Sequence, residues 1–156
     1  MHYRVYLSAT FHPELPANEG FDWKKALIDS INQRDDFKEE NSITFIDPLL
    51  FNSIQKPVAV EADMDNISNA DVVFFYIQKP TIGTLMELMF ASMNFPNQKR
   101  YLIASPEVAT HTWICNLGRE KPYFGGNKRL YPLTICHSVQ EAVDNFMNDV
   151  LKTNNA

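Results

Sequence analysis

One carboxylate in this sequence is placed where reacting groups are common. The apolar run at 72–77 (VVFFYI) ends in a Pro-Thr-Ile-Gly turn, and a helical pattern follows in which Glu87 falls in the first turn. In an open α/β sheet, ligands bind beyond the carboxyl end of a strand, over the start of the next helix. A carboxylate held there serves as a nucleophile or as a general acid or base. Glu87 is therefore the first candidate for a catalytic residue.

The same glutamate also fits a structural role. Thr84 and Glu87 have the spacing of a capping box, in which the threonine caps the helix and the glutamate bonds back to it. A capping glutamate faces solvent, whereas a nucleophile faces the cleft. The amides at the start of the helix predict a lowered pKa for Glu87, which suits an ionised nucleophile better than a general acid. The sequence leaves both roles open.

The elements that must position this carboxylate alternate along the chain. Strands are predicted at 4–9, 42–47, 71–77, 100–104 and 130–136, and helices at 21–34, 58–69, 84–95 and 138–151. Residues 105–129 are predicted to form a helical turn and a long loop. Such alternation predicts an α/β fold, namely a flavodoxin-like, doubly wound parallel sheet of five strands with helices on both faces.

Composition and charge limit the classes of function. The 156 residues favour a single domain over 1–156, with a frayed tail at 151–156. A net charge of −5 without a basic stripe argues against binding to a nucleic acid duplex. No apolar run approaches the roughly 18 residues needed to cross a membrane, and the N-terminus has a strand pattern, not that of a signal peptide. Cys115 and Cys136 predict reduced thiols in a cytoplasmic protein.

Further candidate contacts lie near the strand ends, which share one edge of a parallel sheet. Those at the strand ends are Tyr6, Ser8, Thr10, Phe11, Asp47, Gly83 and Thr84, and Asp63 lies on the helix at 58–69, from which it can reach the same cleft. Gly83 is expected to serve a positive φ or a close approach of ligand, and its amide and that of Thr84 would form a small anion-binding nest. Three of the candidates have ordinary alternatives: Asp47 as a turn residue, Tyr6 as core, and Asp63, like Asp65, on a solvated helix face.

Several other chemistries are not predicted. The four histidines lack the spacing of metal ligands, so no metal is expected. Ser8 and Ser105 lack a nucleophile elbow, which argues against a Ser-His-Asp hydrolase. The strand ends carry no Gly-rich phosphate fingerprint, and no cofactor is expected.

Taken in order, several pieces resemble the nucleoside 2-deoxyribosyltransferase family, whose superfamily includes nucleoside 5′-monophosphate N-glycosidases. They span 4–104 and comprise Tyr6, Asp47-Pro48, Asp63 with Ile67, ADVV at 70–73 and PTIGTLMEL at 80–88. The resemblance implies that Glu87 is the nucleophile that attacks the anomeric carbon and that Tyr6 holds it in position. It also implies that Asp63 contacts sugar hydroxyls or assists proton transfer, that Asp47 lies near the base, and that Gly83 lets the sugar approach.

The implied reaction is chemically coherent. Cleavage of an N-glycosidic bond passes through an oxocarbenium-like state, which a nearby carboxylate stabilises or bonds to. A covalent glycosyl-enzyme divides one difficult step into two. Attack by a second nucleobase then gives transfer, and attack by water gives hydrolysis. The expected partner is a nucleoside or nucleotide, with no nucleic acid duplex and no membrane.

Departures from the family leave two other hypotheses open. The loop after the first strand (SATF, 8–11) lacks the Gly-Gly-Arg phosphate grip of the monophosphate glycosidases. Residues 88–90 (LMF) are bulkier than the usual Leu-Gly-x-Ala, and the chain is longer after the fourth strand. The alternatives are a nucleotide-sensing module without turnover and an NAD-type glycohydrolase.

The helix that carries Glu87 also predicts self-association. Its segment 85–95 (LMELMFASMNF) is apolar on more than one face, and a helix that is apolar all round is buried. Because one sheet covers only part of such a helix, we expect a homo-oligomer, a dimer or larger. The resemblance implies the same, with part of each site completed by a neighbouring subunit. The alternative is a helix buried wholly within one chain.

Overall fold

The computed structural model describes residues 1–9, 22–39, 41–47, 56–117 and 133–154. The strands in these ranges are β1 (His2–Ala9), β2 (Ser42–Ile46), β3 (Val72–Ile77), β4 (Lys99–Ala104) and β5 (Thr134–Cys136). The helices are α1 (Trp23–Asn32), α2 (Asp35–Lys38), α3 (Lys56–Ser68), α4 (Ile82–Asn94), α5 (Pro106–Ala109), α6 (Thr112–Leu117) and α7 (Val139–Asn154).

All five strands form one parallel sheet in the order β2-β1-β3-β4-β5. This confirms the predicted flavodoxin-like α/β fold. Tyr6 of β1 lies opposite Ile46 of β2 on one side and Val73 of β3 on the other. The strand order reverses between β1 and β3, and such a switch point opens a crevice at the carboxyl edge of the sheet.

Helices pack on both faces of the sheet and bury two apolar cores. On one face, Leu27 of α1 and Phe146 of α7 pack against the inner residues of β1, β3 and β4. On the other face, Ile67 of α3 and Leu88 of α4 do the same. Because residues alternate along a strand, β1 sends Val5 and Leu7 to the first core and Tyr6 and Ser8 to the face covered by α3 and α4.

The predicted boundaries differ most where helices begin or end. α4 begins at Ile82, before the predicted start at Thr84. The short helices α2, α5 and α6 replace stretches predicted as loop or as a single helical turn. α7 continues to Asn154, and side chains cap its start: Ser138 accepts from the amide of Glu141, and Glu141 accepts from the amide of His137. None of the described helices is long and apolar enough to cross a membrane.

Candidate active site at the switch point

Glu87 is not the capping residue of α4. The helix starts three residues earlier than a Thr84 cap would require, with Thr81 at the N-cap, so Glu87 lies in its second turn. Thr84 is buried within the first turn and is 2% exposed. The capping-box interpretation is therefore wrong, because its two residues do not stand at the N-cap and third helical positions.

Glu87 faces inward, across the crevice to β1. Its side chain is half-buried, and Oε2 accepts a hydrogen bond of 2.5 Å from the Ser8 hydroxyl. That length is typical of an O–H···O⁻ bond with an ionised acceptor. Ser8 itself is completely buried, so the bond is sheltered from water on the β1 side. The carboxylate is thus held at the switch point of the sheet.

Burial raises the pKa of Glu87 from 4.5 to about 7. The negative charge of Asp63 acts in the same direction, whereas the Ser8 hydrogen bond and the positive charge of Lys24 oppose it. The predicted lowering was wrong for a positional reason. Glu87 lies in the second turn, and the field of the helix amides falls off within the first turn. Desolvation therefore determines the direction.

Tyr6 and Asp63 form the inner wall beside Glu87. Tyr6 is fully buried, and its pKa is raised first by burial and then by the charges of Glu87, Asp63 and Asp47. Its hydroxyl interacts with the Asp63 carboxylate in a geometry looser than a strict hydrogen bond. Asp63 is partly buried on α3, whereas Asp65 on the same helix is exposed. The alternative of a solvated helix face therefore fits Asp65 and not Asp63.

Lys24 completes the group, and sequence reasoning missed it. Its ammonium contacts the Asp47 carboxylate at the end of β2, with the two side chains 10% and 24% exposed. The residue before it, Trp23, stacks on Tyr76 of β3 at a centroid distance of 5.0 Å. This stack fixes the start of α1 against the sheet. The available signal was a lysine in the first turn of the helix that follows β1, which is the turn nearest the carboxyl edge.

The remaining candidates are placed less closely. Gly83 lies in the first turn of α4 without a positive φ, and a Cβ there would meet open space. The expectation of a left-handed glycine was therefore wrong, although the open space leaves room for a ligand. Gly83 and Thr84 both lie in the first turn of α4. Thr10 and Phe11 lie outside the described residues.

An apolar cavity of about 350 Å³ lies between α4 and the pair α5 and α6. Leu85 and Met89 of α4 line it. Each is two positions away from Glu87, and residues two apart on a helix point in nearly opposite directions. The carboxylate and the cavity therefore lie on different sides of α4. Among the described residues, no group of three or more His, Cys, Asp or Glu side chains has the geometry of a metal site.

The six side chains brought together are Tyr6, Ser8, Lys24, Asp47, Asp63 and Glu87. They come from β1, α1, the end of β2, α3 and α4, so the site depends on the fold and not on one segment. A partly protonated carboxylate beside a second carboxylate can attack an electrophilic carbon and exchange protons at neutral pH. No known protein-family model matches the chain, and no curated protein matches it.

Proposed function

We propose that this chain is a nucleoside 2-deoxyribosyltransferase-like enzyme that cleaves or exchanges the N-glycosidic bond of 2′-deoxynucleosides or their monophosphates. The observation that carries the proposal is the half-buried Glu87 carboxylate at the switch point, bonded to Ser8 and in electrostatic contact with Asp63. A nucleophile beside a second acid is what this reaction requires. The resemblance over 4–104 also points to Glu87 and Asp63.

In the first half-reaction, the ionised Glu87 oxygen attacks C1′ of the deoxyribose. A C–O bond forms as the C1′–N bond breaks, and the bonding electron pair goes to the base nitrogen, which takes up a proton. In its protonated form, Asp63 is better placed than Asp47 to supply this proton. It interacts electrostatically with Glu87, whereas an oxygen of Asp47 is in contact with the Lys24 ammonium.

In the second half-reaction, a nucleophile attacks C1′ and releases the Glu87 carboxylate. A nitrogen of a second base gives a new nucleoside, and water gives free deoxyribose or its phosphate. The 2′-deoxy sugar reacts more readily because it lacks the electron-withdrawing hydroxyl that destabilises the oxocarbenium-like state. Deoxynucleosides are therefore the first substrates to test.

The raised pKa of Glu87 allows a nucleophile role to be distinguished from a general-acid role. A nucleophile must be ionised, so the rate should rise as the pH increases through about 7, the pKa of Glu87. If Glu87 acted as a general acid, the rate would fall over the same range. A pH profile of the rate therefore assigns the role of this carboxylate.

The experiment is product analysis. The protein is incubated with each 2′-deoxynucleoside and its 5′-monophosphate, with and without a free acceptor base, and the mixture is separated by chromatography. We expect free base in both cases and a new nucleoside when an acceptor is present. Asp63→Asn should slow base release by about 100- to 10,000-fold, whereas Asp65→Asn, at an exposed position of the same helix, should not.

Other outcomes contradict the proposal in distinct ways. No product from any nucleoside or nucleotide would end it. Release of nicotinamide from NAD, with no action on deoxynucleosides, would favour an NAD-type glycohydrolase. Tight nucleotide binding without product, unchanged in Glu87→Gln, would favour a sensing module.

The proposal includes a cytoplasmic homo-oligomer. Cys115 and Cys136 are free thiols, which suits a reducing compartment. Exposed apolar side chains on α4 offer a surface for a second copy. No metal or cofactor has a part in the proposed reaction.

A further inference from the structure

Strand β1 presents two buried hydroxyls to the same side of the sheet. Tyr6 and Ser8 are two residues apart, so both point toward α3 and α4, and both are completely buried. Between them they face the two carboxylates that carry the proposed chemistry. The resemblance implies only that Tyr6 holds Glu87. The geometry of this site determines which carboxylate each hydroxyl contacts.

Each hydroxyl faces a different carboxylate. The Ser8 hydroxyl donates to Glu87 Oε2 at 2.5 Å, the distance of a strong bond to a charged acceptor. The Tyr6 hydroxyl interacts with Asp63, and Glu87 acts on Tyr6 only through its charge. The geometry therefore reverses the assignment that the resemblance implies.

We propose that Ser8 is the residue that positions Glu87 and holds it in its reactive form, while Tyr6 serves Asp63. Ser8 is well suited because it is paired with Phe75 of the central strand β3 and is shielded from solvent. A short, buried donor orients one carboxylate oxygen and leaves the other for the anomeric carbon. The catalytic consequence rests on the proposed function; the positioning itself does not.

The consequence for ionisation follows from the groups that face Glu87. They are Ser8 and Tyr6 on β1, Asp63 on α3 and Lys24 on α1, and Asp47 at the end of β2 is in contact with Lys24. Burial and Asp63 favour the protonated acid, whereas Ser8 and, more weakly, Lys24 favour the carboxylate. Removal of the Ser8 hydroxyl should therefore raise the pKa of Glu87 further.

The test is a carbon-13 NMR titration of the Glu87 carboxyl group, identified by its absence in Glu87→Gln. Ser8→Ala should move the midpoint upward by about one to two pH units, as expected for the loss of a hydrogen bond to a charged group. Tyr6→Phe is the matched control, since it removes one buried hydroxyl from the same strand and face. Tyr6→Phe should shift the midpoint by less than about half a unit. Ser8→Thr keeps a hydroxyl and should have the wild-type midpoint.

The outcomes separate this inference from the proposed function. An unchanged midpoint in Ser8→Ala, or a larger shift in Tyr6→Phe, would overturn it whether or not the protein has activity. If base release is detected, the rising limb of its pH profile should move upward in Ser8→Ala by the same amount. Should Ser8→Ala fail to unfold cooperatively, Ser8→Cys carries the same test, with a smaller shift in the same direction because a thiol is a weaker donor.

Discussion

At the scale of single residues, the site is governed by the balance of forces on Glu87. Desolvation and Asp63 disfavour its charge, and Ser8 and Lys24 partly offset them, which leaves a pKa of about 7. A carboxylate at this value is about half ionised at neutral pH. It can therefore attack as an ionised nucleophile and can bind a proton after it leaves the sugar. Neither state carries a large free-energy penalty.

This balance predicts that Glu87 destabilises the protein at high pH. The folded state binds the proton more tightly than the unfolded state, so stability is greatest below the ordinary pKa of 4.5 and is lost as the pH rises to about 7. Glu87→Gln removes the charge and should raise the free energy of unfolding by about 3 kcal/mol at pH 8, with little effect at pH 4. Urea unfolding at the two pH values measures the difference.

The control for this prediction is Glu61→Gln, an exposed glutamate on α3. It should change the free energy of unfolding by less than about 0.5 kcal/mol at both pH values. A Glu87→Gln variant that is less stable than the wild type at pH 8 would show that the neighbours of the carboxylate outweigh the effect of its burial.

Sequence reasoning found most of the site residues because strand ends are recognisable. Glu87, Asp47, Tyr6 and Ser8 belong to strand ends or to the helix that follows one, where a hydrophobic pattern ends. Asp63 lies within α3 and was indicated by the resemblance. The pattern could not show which hydroxyl bonds to which carboxylate. That depends on the early start of α4 and on the depth of burial, and neither is encoded in local spacing.

At the scale of elements, two side chains at the start of β4 anchor the helices that carry the carboxylates. The Arg100 guanidinium donates to the carbonyls of Ala91 and Phe95 at the end of α4, at 2.8 and 2.6 Å. The Gln98 amide donates to the carbonyls of Ile67 and Ala70 at and beyond the end of α3, at 2.7 and 2.8 Å.

The carbonyls of Ala91 and Ile67 also accept from the backbone amides of Phe95 and Ala70, so the side-chain bonds add to the backbone bonds at these helix ends. They fix the carboxyl ends of α3 and α4. Fixing these ends also helps to position Asp63 and Glu87, which lie nearer the site on the same helices. Burial lowers the pKa of Arg100 to about 10, so its guanidinium remains charged at neutral pH.

The outer face of α4 predicts self-association. Met86 lies four residues after Ile82, and Met93 lies seven residues after Met86, which places all three on one face of the helix. The exposed fractions of Ile82, Met86 and Met93 are 81%, 62% and 62%. The helix is therefore not buried wholly within one chain, and an apolar stripe of this kind favours a second copy of the protein.

The double variant Met86→Glu and Met93→Glu should convert an oligomer into a monomer, because it buries charge at the contact. Analytical ultracentrifugation measures the mass. Trp113→Glu, at an exposed apolar residue of α6, is the control and should leave the mass of the oligomer unchanged. A wild-type protein that stays monomeric at high concentration would contradict the prediction.

At the scale of the whole molecule, the strand order creates the site. Because the order reverses between β1 and β3, the connections that follow them diverge to opposite faces and leave a crevice at the carboxyl edge. Ser8 and Glu87 meet across this crevice. The alternation of apolar runs and helical patterns was sufficient to predict this topology, since few arrangements of five parallel strands obey right-handed crossovers.

The short elements were not predictable in the same way. α2, α5 and α6 have four to six residues, too few to display a hydrophobic period. Lys24 was missed for a related reason, because a buried lysine is recognised only when its partner is known. Asp47 is separated from it by 23 positions in the chain.

The most direct measurement is the rate of base release by Glu87→Gln beside wild type and Glu61→Gln, on the same 2′-deoxynucleoside at pH 8. Removal of the attacking oxygen should lower the rate by at least about 1,000-fold, while Glu61→Gln retains the wild-type rate. A Glu87→Gln enzyme that stays within about tenfold of the wild type would contradict the central claim that this carboxylate attacks the sugar.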